Sequence, residues 1–165
     1  MRSRGSRLAT DLVAPLAGRV VALADVPDPV FADAVIGPGL AIDPDVPDAA
    51  DGVVRVVVVA PCSGRMVSVY PHAVVVAVDA ERAVLVHLGV DTEGLAPACF
   101  DVAVQEGQEV AAGQPLLAWS PRCVRHEGRS ALCPVVALQA EAGDVEWLVE
   151  PGDAVAEGQQ LLVWR

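Results

Sequence analysis

Two histidines, His72 and His87, stand fifteen positions apart in a chain that holds three in all. Between them lie two valine-rich runs, Ala73 to Val78 and Ala83 to Leu88, joined by the polar stretch Asp79-Ala80-Glu81-Arg82. Short β-branched runs on either side of a turn read as a hairpin. Side chains alternate with period two, so an even loop sets even positions of the first strand on the face of odd positions of the second. On that register His72 and His87 share one apolar face, close enough to act together. Two imidazoles so placed are a candidate site for phosphate or for a metal ion.

The elements that must position them are strands. With 165 residues the chain is long enough for one domain with a real core. Hydrophobic residues make up 53% but aromatics only 4%, which leaves the packing to Val, Ala and Leu. The chain also repeats itself. Ala14-Pro15-Leu16-Ala17-Gly18-Arg19-Val20 resembles Ala60-Pro61-Cys62-Ser63-Gly64-Arg65-Met66, and Glu106 to Trp119 echoes Pro151 to Trp164. Turn–strand–turn–strand units at such short intervals predict an all-β antiparallel sandwich or partly open barrel with internal pseudo-symmetry. Helical period is scarce: one turn within Pro27 to Ala34 and another within Val90 to Leu95. Asp43 to Gly52 and Ser120 to Arg129 read as exposed loops. Residues 1–11 form a flexible tail on this reading, and 12–165 a single domain.

Composition excludes several classes of function. A net charge of −11 leaves no basic footprint for nucleic acid and suits a basic protein partner. All eleven basic residues are arginine, which removes Schiff-base chemistry, a P-loop lysine and covalent lipoyl or biotinyl attachment. Cys62, Cys99, Cys123 and Cys133 are widely spaced, with no C-x-x-C pair, and read as reduced buried or half-buried thiols. His126, in a polar stretch, reads as a surface residue. No apolar run has the length of a membrane span, and Arg2, Arg4 and Arg7 are not followed by a signal-peptide core. The expected location is cytoplasmic.

Five blocks in order carry a resemblance. They are Asp25-Val26-Pro27-Asp28-Pro29-Val30-Phe31-Ala32 with Gly37-Pro38-Gly39-Leu40-Ala41-Ile42, then Val59-Ala60-Pro61 leading to Gly64, and Val86-His87-Leu88-Gly89-Val90-Asp91-Thr92. Glu106-Gly107-Gln108-Glu109-Val110 and Leu132-Cys133-Pro134-Val135-Val136 complete the set. From about Val13 to Trp164 the chain resembles the glucose-type enzyme IIA of the bacterial phosphoenolpyruvate-dependent sugar phosphotransferase system. The resemblance implies an antiparallel β-sandwich built from a duplicated motif. It makes His87 the acceptor of a phosphoryl group from the carrier protein HPr, and an enzyme IIB domain the next recipient. His72 matches the second active-site histidine, in contact with the phosphate.

Further roles follow from that match. Gly89, two residues after His87, offers a backbone carbonyl to fix the imidazole tautomer. Val30, Phe31 and Val35 are the candidate apolar walls that keep water from a phosphohistidine, and Asp91 and Thr92 the candidate contacts at the rim. Relatives carry a Thr two residues before the first histidine; here Tyr70 stands there, so Tyr70 or a backbone group is left to orient His72. Leu88 replaces a usual aromatic or Ile. No cofactor is implied beyond the transient phosphohistidine, although regulatory zinc shared by His72, His87 and a partner carboxylate is known in the family. Unphosphorylated relatives also inhibit permeases or glycerol kinase. The sugar is chosen by the membrane permease, not by enzyme IIA. The rival reading is a zinc hydrolase built on His72, His87 and Asp91, which lacks the H-x-H pair of the zinc peptidases that share a related β-architecture.

Overall fold

The computed structural model describes residues 8–46, 55–95 and 97–165. In chain order the strands are β1 (Thr10–Val13), β2 (Gly18–Ala22), β3 (Gly39–Pro44), β4 (Val56–Val59), β5 (Gly64–Tyr70), β6 (Ala73–Ala77) and β7 (Ala83–His87). There follow β8 (Phe100–Val102), β9 (Glu109–Val110), β10 (Pro115–Trp119), β11 (Cys133–Ala137), β12 (Val145–Trp147), β13 (Ala154–Val155) and β14 (Gln160–Trp164). Two short helices, α1 (Pro29–Ala32) and α2 (Pro121–His126), interrupt them.

Every strand pair is antiparallel, as an all-β sandwich requires. An eight-stranded sheet runs β13-β2-β3-β11-β7-β6-β5-β9, and two three-stranded sheets run β1-β14-β12 and β4-β10-β8. The sequence repeats lie in equivalent places. Of the two echoing units, β9 and β13 pair with β5 and β2 at opposite edges of the large sheet, and β10 and β14 are each the middle strand of a small sheet. Their turns are closed alike. Gln114 Oε1 accepts from Ala111 N–H at 3.1 Å, and Gln159 Oε1 from Ala156 N–H at 3.0 Å.

The main core lies between the sheets and is built of aliphatic residues around Trp119 and Trp164. A smaller cluster (Leu23, Val26, Phe31, Ala41, Val90 and Val136) sits apart from it. One buried cation ties distant segments together. Arg82, 4% exposed, donates to the carbonyls of Trp164 and Leu8 at 3.0 and 3.1 Å and pairs with Asp79 at 2.8 Å. A guanidinium with five donors in a fixed fork can serve three acceptors at once.

Several sequence expectations change. Thr10 and Asp11 are not tail: they pair with Trp164 and Val163 of β14. Leu8 and Ala9 lead into that strand, and residues 1–7 of the tail lie outside the described residues. Asp43 and Pro44 end β3 instead of opening a loop, and 47–52 of the same stretch lie outside the described residues. Ser120 to Arg129 holds α2, because Ser120 Oγ caps it by accepting from Cys123 N–H at 3.0 Å and Pro121 sits at the first turn. Val90 to Leu95 forms no helix; Val90 bridges Ser130 and the rest is turn. Two of the four cysteines are not free thiols, since Cys99 and Cys123 form a disulfide. Local spacing could not show this, because the fold brings Cα atoms 24 positions apart to 5.4 Å.

Candidate functional site

The β6–β7 hairpin forms, but with a different register from the one the turn suggested. Ala73 pairs with His87, Val74 with Val86 and Val75 with Leu85, so even positions face even ones. Five residues, not four, separate the strands, because Val78 N–H donates to Arg82 O within the turn. Val74, Val76, Val84 and Val86 point into the main core. His87 therefore shares the opposite face of the sheet with Leu85, which packs on the smaller cluster.

By that parity His72 would point away from His87. It does not, because it stands one residue outside β6, in the turn after Tyr70. Only its backbone joins the ladder, with His72 O accepting from Leu88 N–H at 2.7 Å. Its side chain is released from the pleat, and the two imidazoles meet edge to face with ring centroids 5.3 Å apart.

The segment Leu23 to Ile36 covers this outer face. Asp28 caps α1, accepting from Val30 N–H at 2.9 Å. The single turn carries Phe31 down onto the sheet, 5.2 Å from the His87 ring centroid. Phe31 is 6% exposed, so it is an inner wall of the site and not a docking aromatic. Val30 and Val35 are exposed and flank it from outside. Tyr70 is exposed beside His72, ring centroids 5.8 Å apart, the position the missing Thr would occupy. Among the described residues no hydrogen-bond partner reaches the His72 ring.

The loop after β7 fixes the His87 ring. Nδ1–H donates to Gly89 O at 2.6 Å, and because a carbonyl oxygen only accepts, the proton is on Nδ1 and the lone pair on Nε2. Gly89 takes φ +80°, and an added Cβ would stand 2.6 Å from Thr92 Cγ2 and 2.7 Å from Ser130 O. Only glycine fits there. Thr92, expected at the rim, is instead 1% exposed, with Oγ1–H donating to Leu88 O at 2.7 Å. It shapes the turn and does not meet a partner. The motif position marked it, but only the fold shows that it points inward. Leu88 likewise lies in the main core, with no face on the site. Asp91 is exposed at φ +56°.

Electrostatics keep both imidazoles neutral. Burial pushes the His87 pKa below the ordinary 6.5; the Gly89 carbonyl opposes this, a proton on His72 adds to it, and Asp28 and Asp91 oppose it from the rim. Burial also lowers His72, with Glu93 opposing. Both rings are thus unprotonated at neutral pH, with the carboxylates of Asp28, Asp91 and Glu93 within electrostatic reach. Cys62 and Cys133, buried with their thiols pushed up to about 12, are inert. His126 is exposed at the end of α2. Among the described residues no three His, Cys, Asp or Glu side chains converge as metal ligands. His72 and His87 alone supply half of a tetrahedral zinc set, which does not fit the hydrolase reading with Asp91.

Three comparisons bear on this geometry. The family model described as phosphoenolpyruvate-dependent sugar phosphotransferase system, EIIA 1 matches residues 10–143. The mannose-specific EIIBCA component of the phosphotransferase system of Corynebacterium glutamicum is 36% identical over 139 residues. That stretch is 82% of this chain but 19% of the relative, so the chain spans about a fifth of that protein's length. Among solved structures, glucose permease IIA from Mycoplasma capricolum superposes with a TM-score of 0.80 at 25% identity, covering 98% of this chain and 99% of that one.

Proposed function

The chain belongs to the EIIA 1 family of the phosphoenolpyruvate-dependent sugar phosphotransferase system, and from that premise we propose that it carries a phosphoryl group on His87. Nε2 attacks the phosphorus of phospho-HPr, the N–P bond of the donor breaks, and the HPr imidazole leaves. An enzyme IIB domain then takes the group from His87 in the same way, for sugar uptake. Location in the cytoplasm follows from that traffic, and among the described residues no helix is long and apolar enough to cross a membrane.

The observation that carries the reading is the 2.6 Å contact between His87 Nδ1 and Gly89 O. It selects the tautomer in which Nε2 is a free nucleophile, and it spares the ring a reorientation during transfer. His72 donates to an equatorial phosphoryl oxygen. Phe31 shields one side of the adduct from water. Asp28, Asp91 and Glu93 do a different job: they repel the phosphoryl dianion, so the group is held loosely and passed on. They also steer a basic partner toward the exposed Val30 and Val35.

Transfer in this reading uses no cofactor. A zinc ion on His72 and His87 would need a partner's carboxylate to complete its shell, which makes it a regulatory ligand in complexes with permeases or kinases.

The test is labelling with phosphoenolpyruvate, enzyme I and HPr. One acid-labile, base-stable phosphate is expected, absent in His87→Gln. Label retained in that variant would refute the assignment.

A further inference from the structure

The Cys99–Cys123 disulfide sits against the turn that holds His87, in a chain whose proposed phosphoryl traffic is cytoplasmic, where disulfides persist mainly as exchanging, redox-sensing bonds. We propose that this pair is a redox modification site, exchanging with low-molecular-weight thiols and dithiols, and that its state sets how firmly the His87 turn is held. The cytoplasmic setting that makes exchange expected and the effect on phosphate uptake both rest on the phosphocarrier reading; the effect of the bond on the turn does not.

The turn is gripped from two directions, and the disulfide joins them. On one side Leu95 N–H donates to Thr92 O at 3.3 Å, Cys99 N–H to Leu95 O at 3.2 Å, and Ser120 N–H to Cys99 O at 2.9 Å. On the other, Val124 of α2 lies 3.3 Å from the point where a Gly89 Cβ would be, and Val90 N–H donates to Ser130 O at 2.9 Å. The S–S bond closes this ring at the base of α2. With the bond open, α2 is six residues that cannot hold a helix by their own hydrogen bonds. Its grip on Gly89, and so the carbonyl aimed at His87, loosens with it.

The chemistry favours entry at Cys123. Cys99 is fully buried, whereas Cys123 is half-buried and so the more accessible sulfur. An external thiolate attacks Cys123 Sγ, the intramolecular S–S bond breaks, and Cys99 Sγ leaves with the electron pair and takes a proton. A second external thiolate displaces the first as a disulfide, and Cys123 Sγ departs as thiolate. Two electrons have then passed from the external thiols to the pair, and oxidation is the reverse.

The experiment equilibrates the folded full chain in mixtures of reduced and oxidised dithiothreitol. Alkylation with mass spectrometry follows the four cysteines, and amide hydrogen exchange follows Val90 and Leu95. Without denaturant Cys99 and Cys123 should become alkylated together while Cys62 and Cys133 stay protected. Exchange at Val90 and Leu95 should rise about tenfold on reduction and return on reoxidation. Phosphate uptake from phospho-HPr should slow by about tenfold, short of the roughly 10²-fold cost of a 1 Å misplacement. Cys99→Ser with Cys123→Ser should match the reduced protein at every poise. The proposal is overturned if the pair resists reduction in the folded chain, or if it reduces and Val90 and Leu95 exchange unchanged. If no phosphate is accepted in either state, the phosphocarrier reading fails and the amide exchange still decides this one.

Discussion

His72 and His87 face each other edge to face at 5.3 Å although they are not partners in the ladder; the cross-strand partner of His87 is Ala73. The pairing depends on His72 standing just outside β6, free of the pleat. Its ring lies in contact with those of Tyr70 and His87, and among the described residues no hydrogen bond fixes it.

That difference in anchoring separates the roles. His72→Gln should still accept phosphate from HPr but pass it to enzyme IIB about 10²–10³ times more slowly, the usual cost of one preorganised donor. His87→Gln should fail at acceptance. Single-turnover rates of each half-reaction check this, and the reverse pattern would mean that the two roles are exchanged.

Acceptance should be flat with pH at and above neutrality and fall only below the ordinary histidine midpoint of 6.5, because burial holds His87 neutral further into acid. Stability carries the same sign. Both imidazoles bind protons less tightly folded than unfolded, so their contribution is complete above 6.5 and is lost as pH falls from 6.5 through their lowered folded values. Urea midpoints between about pH 7.5 and 5.5 should drop, and His87→Gln should flatten the slope. A midpoint that climbs on acidification would contradict this.

Gly89→Ala forces a Cβ against Thr92 and Ser130 at a positive φ. A stability loss of about 1–3 kcal/mol is expected, with acceptance slowed about 10²-fold as the carbonyl turns from Nδ1. Thr92→Val should slow acceptance in the same sense, and Thr92→Ser, which keeps the hydroxyl on Leu88 O, should restore much of it. Nitrogen chemical shifts of His87 would show the tautomer mixing in the Val variant and not in the Ser variant. Equal shifts in both would leave Thr92 no positioning role.

Arg82→Met should cost about 3 kcal/mol, because the Asp79 carboxylate and the Trp164 and Leu8 carbonyls lose their shared donor. Acceptance by the variant at a temperature where it is folded should be unchanged. A melting shift within error would show that the anchor is dispensable.

Short-range pattern is legible in the amino-acid sequence by itself. Valine runs of strand length, the Gly89 that follows His87, and the echo of Glu106 to Trp119 in Pro151 to Trp164 are local, and local propensity and period act on neighbouring residues. These determined the strands, the duplicated plan and the candidate nucleophile. The rest depended on distances across the chain. One extra residue in the Val78–Arg82 turn reversed the parity of the hairpin and put His87 on the outer face. The cover from Leu23 to Ile36 decided that Phe31 is a wall, and packing turned Thr92 inward. Cys99 met Cys123 only because the loop after His87 folds back onto α2. Register, burial and cross-chain pairing are set by which surfaces pack together, and that is a property of the whole fold and not of any window of sequence.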